Sequence, residues 1–562
     1  MTAMLMNTHE ARLDGLRKHL TTAGLDGFVV PICDEHMSEY VGAYARRLEW
    51  LTGFNGSAGT GVVLARRAAM FVDGRYVLQV RDQVDARFYD FEQVPMVTPA
   101  SWLARHAPDG ARIGYDPWLH TRAWVEAASA ATRARGIVLV PAANAVDAIW
   151  ADRPAPSSAP AVPHGIEFAG QSSADKRAAI TTWLTDQGCG TVVIAALDSL
   201  AWLFNWRGAD VDRTPVALAF ALLHRDGTAD VFIAPEKVTP DLSAHLGQSV
   251  RLHPRDGFEA GLAALGGRRV AVDPERSVAA IFQALDSAGA TIVPLTDPAV
   301  VPKAIKNPIE IAGHRAAQAR DNAALSRFLR WLENAGPGAG ETEMSAAARL
   351  ESERRATNLL IDLSFDTISG SGPNGAIMHY RVDPASNRAI APNSVYLVDS
   401  GGQYRDGTTG AQLDVLARQH LWAAGLDYAH GTGHGVGSFL AVHEGPQRIA
   451  RAQGPQAGTD HPLLPGMIVS NEPGYYLPGQ YGIRIENLIV VEPRAIAGAE
   501  GEYLGFATLS HVPIDRRLIE PALLDADERA WLDGYHADCR ALVGPQLRGD
   551  DRAWLEAATQ PV

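Results

Sequence analysis

One local pattern occurs twice in the first half of the chain, and it restricts the possible folds more than any other feature. Leu13, Leu16 and Leu20 recur at helical spacing, Gly24 stops the helix, and Phe28-Val29-Val30-Pro31 follows as a buried strand. The order returns with Ile180, Trp183 and Leu184, then Gly188, then Thr191-Val192-Val193-Ile194-Ala195. An aromatic segment follows each strand, residues 48–54 and residues 200–206, and clustered aromatics inside apolar runs are expected to pack inward. Between the copies, Pro154, Pro156, Pro160 and Pro163 with Ser157 and Ser158 can extend neither a helix nor an inner strand. Residues 151–165 therefore read as a linker, and the pattern predicts two related N-terminal α/β domains over 1–153 and 166–302.

A chain of 562 residues is too long for one hydrophobic core. The next boundary falls before Asn307-Pro308-Ile309-Glu310, where an Asn cap, a proline at the first helical position and a glutamate three after the cap mark a helix start. This helix is expected to reach about Asn334, with a second around 343–354. Strands are then predicted at 360–364, 394–399, 467–471 and 482–491, giving an α+β domain with a mostly antiparallel sheet over 303–562.

Hydrophobic residues at 46% and charged residues at 20% lie in the ordinary globular range. A net charge of −14 argues against a sequence-independent grip on nucleic acid, which needs a basic surface to release counterions. The N-terminus lacks the apolar core of a secretory signal and the longest apolar runs stop short of a membrane span, so a cytoplasmic protein without a membrane partner is expected. Cys33, Cys189 and Cys539 are scattered, which disfavours a disulfide framework, a thiolate zinc site and a catalytic thiolate. The third domain has no Gly-x-Ser-x-Gly elbow for a serine nucleophile.

Three acids of the third domain sit in apolar surroundings. Asp399 closes the run 395–398, Glu472 follows 467–471, and Glu486 lies inside the strand pattern 483–489. A buried carboxylate needs hydrogen bonds, a basic partner or a metal ion. Singly, each reads as a capped or salt-bridged residue. The stretch His430-Gly431-Thr432-Gly433-His434-Gly435-Val436-Gly437, followed by His443-Glu444-Gly445-Pro446, turns the group toward a metal site. Glycines at that density let the backbone approach a ligand and exclude a His-Glu-x-x-His helix. One imidazole with several carboxylates suits manganese or cobalt and admits zinc, and such a site serves hydrolysis.

Residues 398–409, 430–437, 442–446, 470–476 and 482–487 resemble the signature blocks of the Xaa-Pro aminopeptidases in their three-domain cytosolic form. Residues 53–60, 73–76, 374–380 and 510–513 fit as well, so the likeness spans nearly the whole chain. The resemblance implies a C-terminal catalytic domain of the pita-bread metallopeptidase fold that removes the N-terminal residue preceding proline from peptides. It implies two divalent metal ions, Mn2+ first, with Co2+ or Zn2+ as alternatives. Asp399, His434, Glu472 and Glu486 match four of the five family ligands, Glu486 as a bridging carboxylate. His379, His430 and His443 match histidines that position substrate and stabilise the tetrahedral intermediate, and Arg484 matches an orienting residue. A homodimer is also expected.

One departure stands out. Where the family places a second, bridging aspartate the chain has Gly410, and residues 410–418 resemble the start of a helix that the family reaches a few dozen residues later. A missing in-frame block would remove a metal ligand, the hairpin partner of the strand ending at Asp399, and a covering helix. Poor or absent activity is the expectation, with one ion kept on His434 and Glu472. Asp406 and Asp414 are candidate substitutes, although Asp414 lies at helical spacing with Leu413 and Ala417. A dipeptide-cleaving prolidase, a metal-free creatinase-like enzyme and a disabled domain that only binds peptide or protein remain alternatives.

Overall fold

The computed structural model describes residues 2–335, 340–401, 411–451, 459, 461–498 and 503–562; Asp406 and Gly410 lie outside them. The chain divides into two compact units, Met1–Val300 and Val301–Val562.

The first unit holds two six-stranded sheets. Strands β1 (Gly27–Pro31), β2 (Thr60–Leu64), β3 (Ala68–Val72), β4 (Asp90–Gln93), β5 (Arg112–Tyr115) and β6 (Val138–Pro141) lie in the order β4-β3-β2-β1-β5-β6. Strands β7 (Thr191–Ile194), β8 (Ala219–His224), β9 (Ala229–Ile233), β10 (Val250–His253), β11 (Arg269–Val272) and β12 (Thr291–Pro294) lie in the order β10-β9-β8-β7-β11-β12. Strand by strand the two orders correspond, as do the directions. The second and third strands of each copy run antiparallel to their neighbours toward the first strand, and the remaining three pairings are parallel.

The repeated pattern in the sequence has a physical basis in both cores. Leu13, Leu16 and Leu20 bury one stripe of the helix Thr2–Thr22 against Phe28, Val30, Leu48, Leu51 and Phe54. Each such side chain contributes roughly 1.5–3 kcal/mol on leaving water. In the second copy Leu200, Leu203, Phe204 and Trp206 are fully buried, as expected for the aromatic segment. The Pro-rich linker is not wholly irregular: Val162–Pro163 pairs with Trp206–Arg207 as a two-residue edge, a position that tolerates a proline without an N–H.

The second unit opens with the helix Pro308–Ala335. Asn307 Oδ1 accepts from the Glu310 N–H at 3.1 Å and Glu310 Oε2 accepts from the Asn307 N–H at 3.0 Å, the reciprocal cap that the sequence predicts. The helix Glu343–Arg355 follows. The strand expected at 360–364 does not form. Asn358 turns the chain at φ 57°, Leu359 and Ile361 are exposed, and the strand comes later as β13 (Ile368–Ser371).

Strand β14 (Tyr396–Asp399) pairs antiparallel with β13. Five strands form an antiparallel sheet in the order β16-β15-β17-β20-β21: β15 (Gly433–Gly435), β16 (Glu444–Ile449), β17 (Ile468–Asn471), β20 (Asn487–Arg494) and β21 (Tyr503–Thr508). Between β17 and β20 the chain makes a separate hairpin, β18 (Gly474–Leu477) with β19 (Tyr481–Arg484). The single strand expected over 482–491 is therefore two strands of different sheets, and Ile485 and Glu486 are the crossing between them. Apolar and polar residues alternate from Ile483 to Glu486, and the alternation breaks at Asn487, where β20 begins.

Candidate active site

The crossing places an acid at the meeting point of the two sheets. β19 ends at Arg484, Glu486 follows, and β17 ends at Asn471 just before Glu472. Asp399 closes β14. Close approach of backbones holds these elements together. A Cβ on Gly433 would lie 2.0 Å from Ser470 O, and one on Gly482 would lie 1.8 Å from Gly375 O, so neither position accepts a side chain.

Arg484 is the centre of the cluster, its side chain 4% exposed. Its Nη2 donates to Asp399 Oδ2 at 2.7 Å, and its Nε stands 3.9 Å from Glu472 Oε2 and 4.0 Å from Glu486 Oε2. Nη1 donates to Tyr476 Oη at 2.6 Å and reaches the Met378 carbonyl at 3.4 Å, next to His379. Three carboxylates face one guanidinium. Burial pushes the Glu472 carboxyl up and Asp399 adds to this, against the pull of Arg484. Burial, then Asp399 and Glu472, raise Glu486 well above the usual carboxylate range although its side chain keeps an opening to solvent. Burial alone would lower Arg484, but the surrounding negative charge outweighs it and holds the guanidinium protonated.

The histidines are oriented by their neighbours' carbonyls. His434 Nδ1 lies 2.9 Å from Gly435 O, which can only accept, so Nδ1 carries the proton and the Nε2 lone pair faces Glu472 Oε1 at 3.4 Å. His430 Nδ1 likewise donates to Gly431 O at 2.7 Å, and its Nε2 takes the Tyr476 hydroxyl proton at 2.9 Å. The result is a directed chain from Arg484 through Tyr476 to His430. His443 packs edge-on against His434, ring centroids 4.3 Å apart. Ser470 Oγ accepts from the His434 N–H at 3.1 Å and donates to Glu472 Oε1 at 3.1 Å.

Asp399, His430, His434, His443, Glu472, Arg484 and Glu486 are thus brought into one region, with His379 adjoining it. Sequence reasoning missed Tyr476, which sits in a block singled out for Glu472 and follows it at strand spacing. It also missed the support behind His430. In the helix Ala411–Ala423, Asp414 is buried and accepts from Arg418 Nε at 2.8 Å and from the Thr432 hydroxyl. Arg418 Nη2 in turn donates to the His430 carbonyl at 2.6 Å. Asp414 is therefore committed to Arg418 and Thr432 and does not join the acids around Arg484.

The donor set suits a hard divalent cation. A lone pair and a carboxylate oxygen face each other, and the acids outnumber the cation among them, so the region lacks positive charge. Among the described residues, no group of three His, Cys, Asp or Glu side chains closes around one ion-sized point.

The sequence signature of metallopeptidase family M24 matches residues 312–408 and 403–493, and that of the C-terminal region of peptidase M24 matches 502–562. Creatinase/prolidase N-terminal domain signatures match 12–149 and 152–310. A probable Xaa-Pro aminopeptidase P of Aspergillus flavus is 36% identical over 616 aligned positions, covering 99% of this chain and 93% of that one. The chain belongs to the Xaa-Pro aminopeptidase P family. Another family member, from Aspergillus niger, is 37% identical with 98% of each chain covered. The crystal structure of an X-prolyl aminopeptidase from Caenorhabditis elegans, described as a cytosolic enzyme with a di-nuclear active site, superposes with a TM-score of 0.91 at 31% identity over 99% of this chain and 100% of that one. The family fold, two creatinase-type N-terminal domains and a pita-bread domain, is the architecture found here. Among the described residues, no helix is long and apolar enough to cross a membrane.

Proposed function

We infer that this chain is a metal-dependent aminopeptidase that releases the residue preceding proline from the N-terminus of peptides. The observation that carries this reading is the assembly of Asp399, His434, Glu472 and Glu486 around Arg484, in a member of the Xaa-Pro aminopeptidase P family. Those four residues would hold the metal, and the di-nuclear active site of the nematode relative supports two ions. Manganese, a homodimer, a cytoplasmic setting and domain limits of 1–153, 166–302 and 303–562 complete the proposal. Divalent ions at such a site polarise a carbonyl and lower the pKa of water.

The chain's own residues supply the rest. Arg484 fixes Asp399 and, through the Tyr476 hydroxyl, the proton position on His430. His430, with His379 and His443, would position the substrate and stabilise the tetrahedral intermediate. Gly435 O fixes the His434 tautomer that leaves Nε2 able to ligate.

We further propose that the site is one ligand short. The A. flavus alignment, at 616 positions, is longer than the 562 residues of this chain, and the M24 signature matches in two pieces that meet at 403–408; both support an internal block missing beside Gly410. With Asp414 committed to Arg418, one ion is held firmly and the second weakly, and turnover is slow. Metal analysis of the purified chain after equilibration with Mn2+ and desalting tests this. One retained ion per chain is expected, and two would overturn the missing-ligand reading.

A further inference from the structure

A cavity of about 540 Å³ lies in the first unit, with Arg47, Arg153, Arg255, Glu35, Asp116 and Glu259 in its wall. We propose that it binds a small zwitterion: an amino acid or short peptide with a free ammonium group, a free carboxylate and an apolar side chain. Three guanidinium and three carboxylate side chains share its wall, so a simple anion or a simple cation meets repulsion from half of them, and a ligand bearing both charges does not.

Part of this charge is already used. Arg47 donates Nε and Nη2 to Asp147 at 2.7 and 2.9 Å, and Arg153 donates Nη1 to Asp147 at 2.7 Å and Nε to Tyr44 O at 2.8 Å. Asp116 accepts from the Trp118 N–H and from Asn144 Nδ2, and Glu35 accepts from the Tyr44 hydroxyl. The remainder is unspent. Among the described residues, Arg255 has no side-chain hydrogen bond; it lies 3.8 Å from Glu35 and its guanidinium stacks 4.2 Å over the Phe220 ring. Arg47 Nη1, almost fully buried, also lacks a partner. The contact with Phe220 holds the Arg255 guanidinium in the cavity wall, and a guanidinium can take a carboxylate bidentately. Glu259, one helical turn after Arg255, and Glu35 provide the acceptors for an ammonium group. Trp118, Leu119, Pro154 and Pro156 give the apolar portion, and the volume falls in the range of small-molecule sites.

The test is calorimetric titration of the full-length chain with L-leucine, L-leucinamide and N-acetyl-L-leucine, the last two lacking one charge each. L-leucine is expected to bind with saturable heat and the two analogues at least tenfold more weakly. Arg255→Gln and Glu259→Gln are each expected to weaken L-leucine at least tenfold with an unchanged unfolding midpoint, and Glu259, being exposed, provides a variant that folds. Glu472→Gln, in the other unit, is expected to leave the affinity for L-leucine unchanged. No saturable heat, equal binding of N-acetyl-L-leucine, or loss of binding in Glu472→Gln would each overturn the proposal, the last by moving the bound amino acid to the peptidase site.

Discussion

His434 Nε2 faces Glu472 Oε1 across 3.4 Å with a lone pair on each side, because Gly435 O holds the ring proton on Nδ1. A pair in that position is bridged either by a proton or by a metal cation, and the acids around it favour the cation. Mn2+ added to chelator-treated protein is therefore expected to raise its thermal unfolding midpoint. The gain should approach about 2.7 kcal/mol at a free concentration a hundredfold above the dissociation constant. His434→Ala and Glu472→Gln should abolish this shift, as read by scanning calorimetry.

Glu444 is fully buried between Lys303 and Lys306, accepting from Lys303 Nζ at 2.8 Å and from Lys306 Nζ, which also donates to the Lys303 carbonyl at 2.7 Å. Removing the carboxylate takes away the buried acceptor that both ammonium groups share. Glu444→Ala is expected to destabilise by about 3–5 kcal/mol in urea unfolding. A loss below 1 kcal/mol would show that water reaches these lysines.

His120 is 3% exposed, and its Nδ1 donates to Asp116 O at 2.9 Å. Burial lowers its pKa from 6.5 to about 4. The unfolded chain takes up this proton near pH 6.5 while the folded chain does not, so the stability it supports is complete above pH 6.5 and is lost as pH falls toward 4. The loss is on the order of 3 kcal/mol. A His120→Asn variant should show a flatter dependence of unfolding free energy on pH over that window.

Much of this was legible in the sequence, for reasons that differ by residue. Leu13, Leu16 and Leu20 announce themselves because a helix stripe repeats at a fixed period, and Asn307 and Glu310 because a cap needs only four residues. The acids and histidines of the site were legible through short blocks whose chemistry is unusual in apolar surroundings. Glu486 was found but misplaced: the apolar content of residues 482–491 suggests one strand, while the chain changes sheets at Ile485 and Glu486, where the alternation breaks. Lys303, Lys306 and Glu444 were missed because their partnership spans well over a hundred residues and no local pattern encodes it. Tyr476 was missed for a simpler reason: an aromatic in a strand reads as packing, and only coordinates show its hydroxyl between Arg484 and His430.

That hydroxyl yields a prediction of its own. Tyr476→Phe keeps the ring and removes the link between Arg484 and His430, so peptide release should fall by about tenfold or more, the scale for loss of an outer partner at a metal site. The unfolding midpoint should move little. The comparison requires kcat and KM for both proteins on one proline-containing peptide.

The most direct measurement is release of the N-terminal residue from an Xaa-Pro-Pro peptide by the purified chain with added Mn2+, beside a chelator-treated sample and a Glu486→Ala variant. The account predicts slow release that requires proline in the second position and disappears with chelator and in Glu486→Ala. Release that survives either change, release from peptides without that proline, or none from a folded, metal-supplied protein would contradict it.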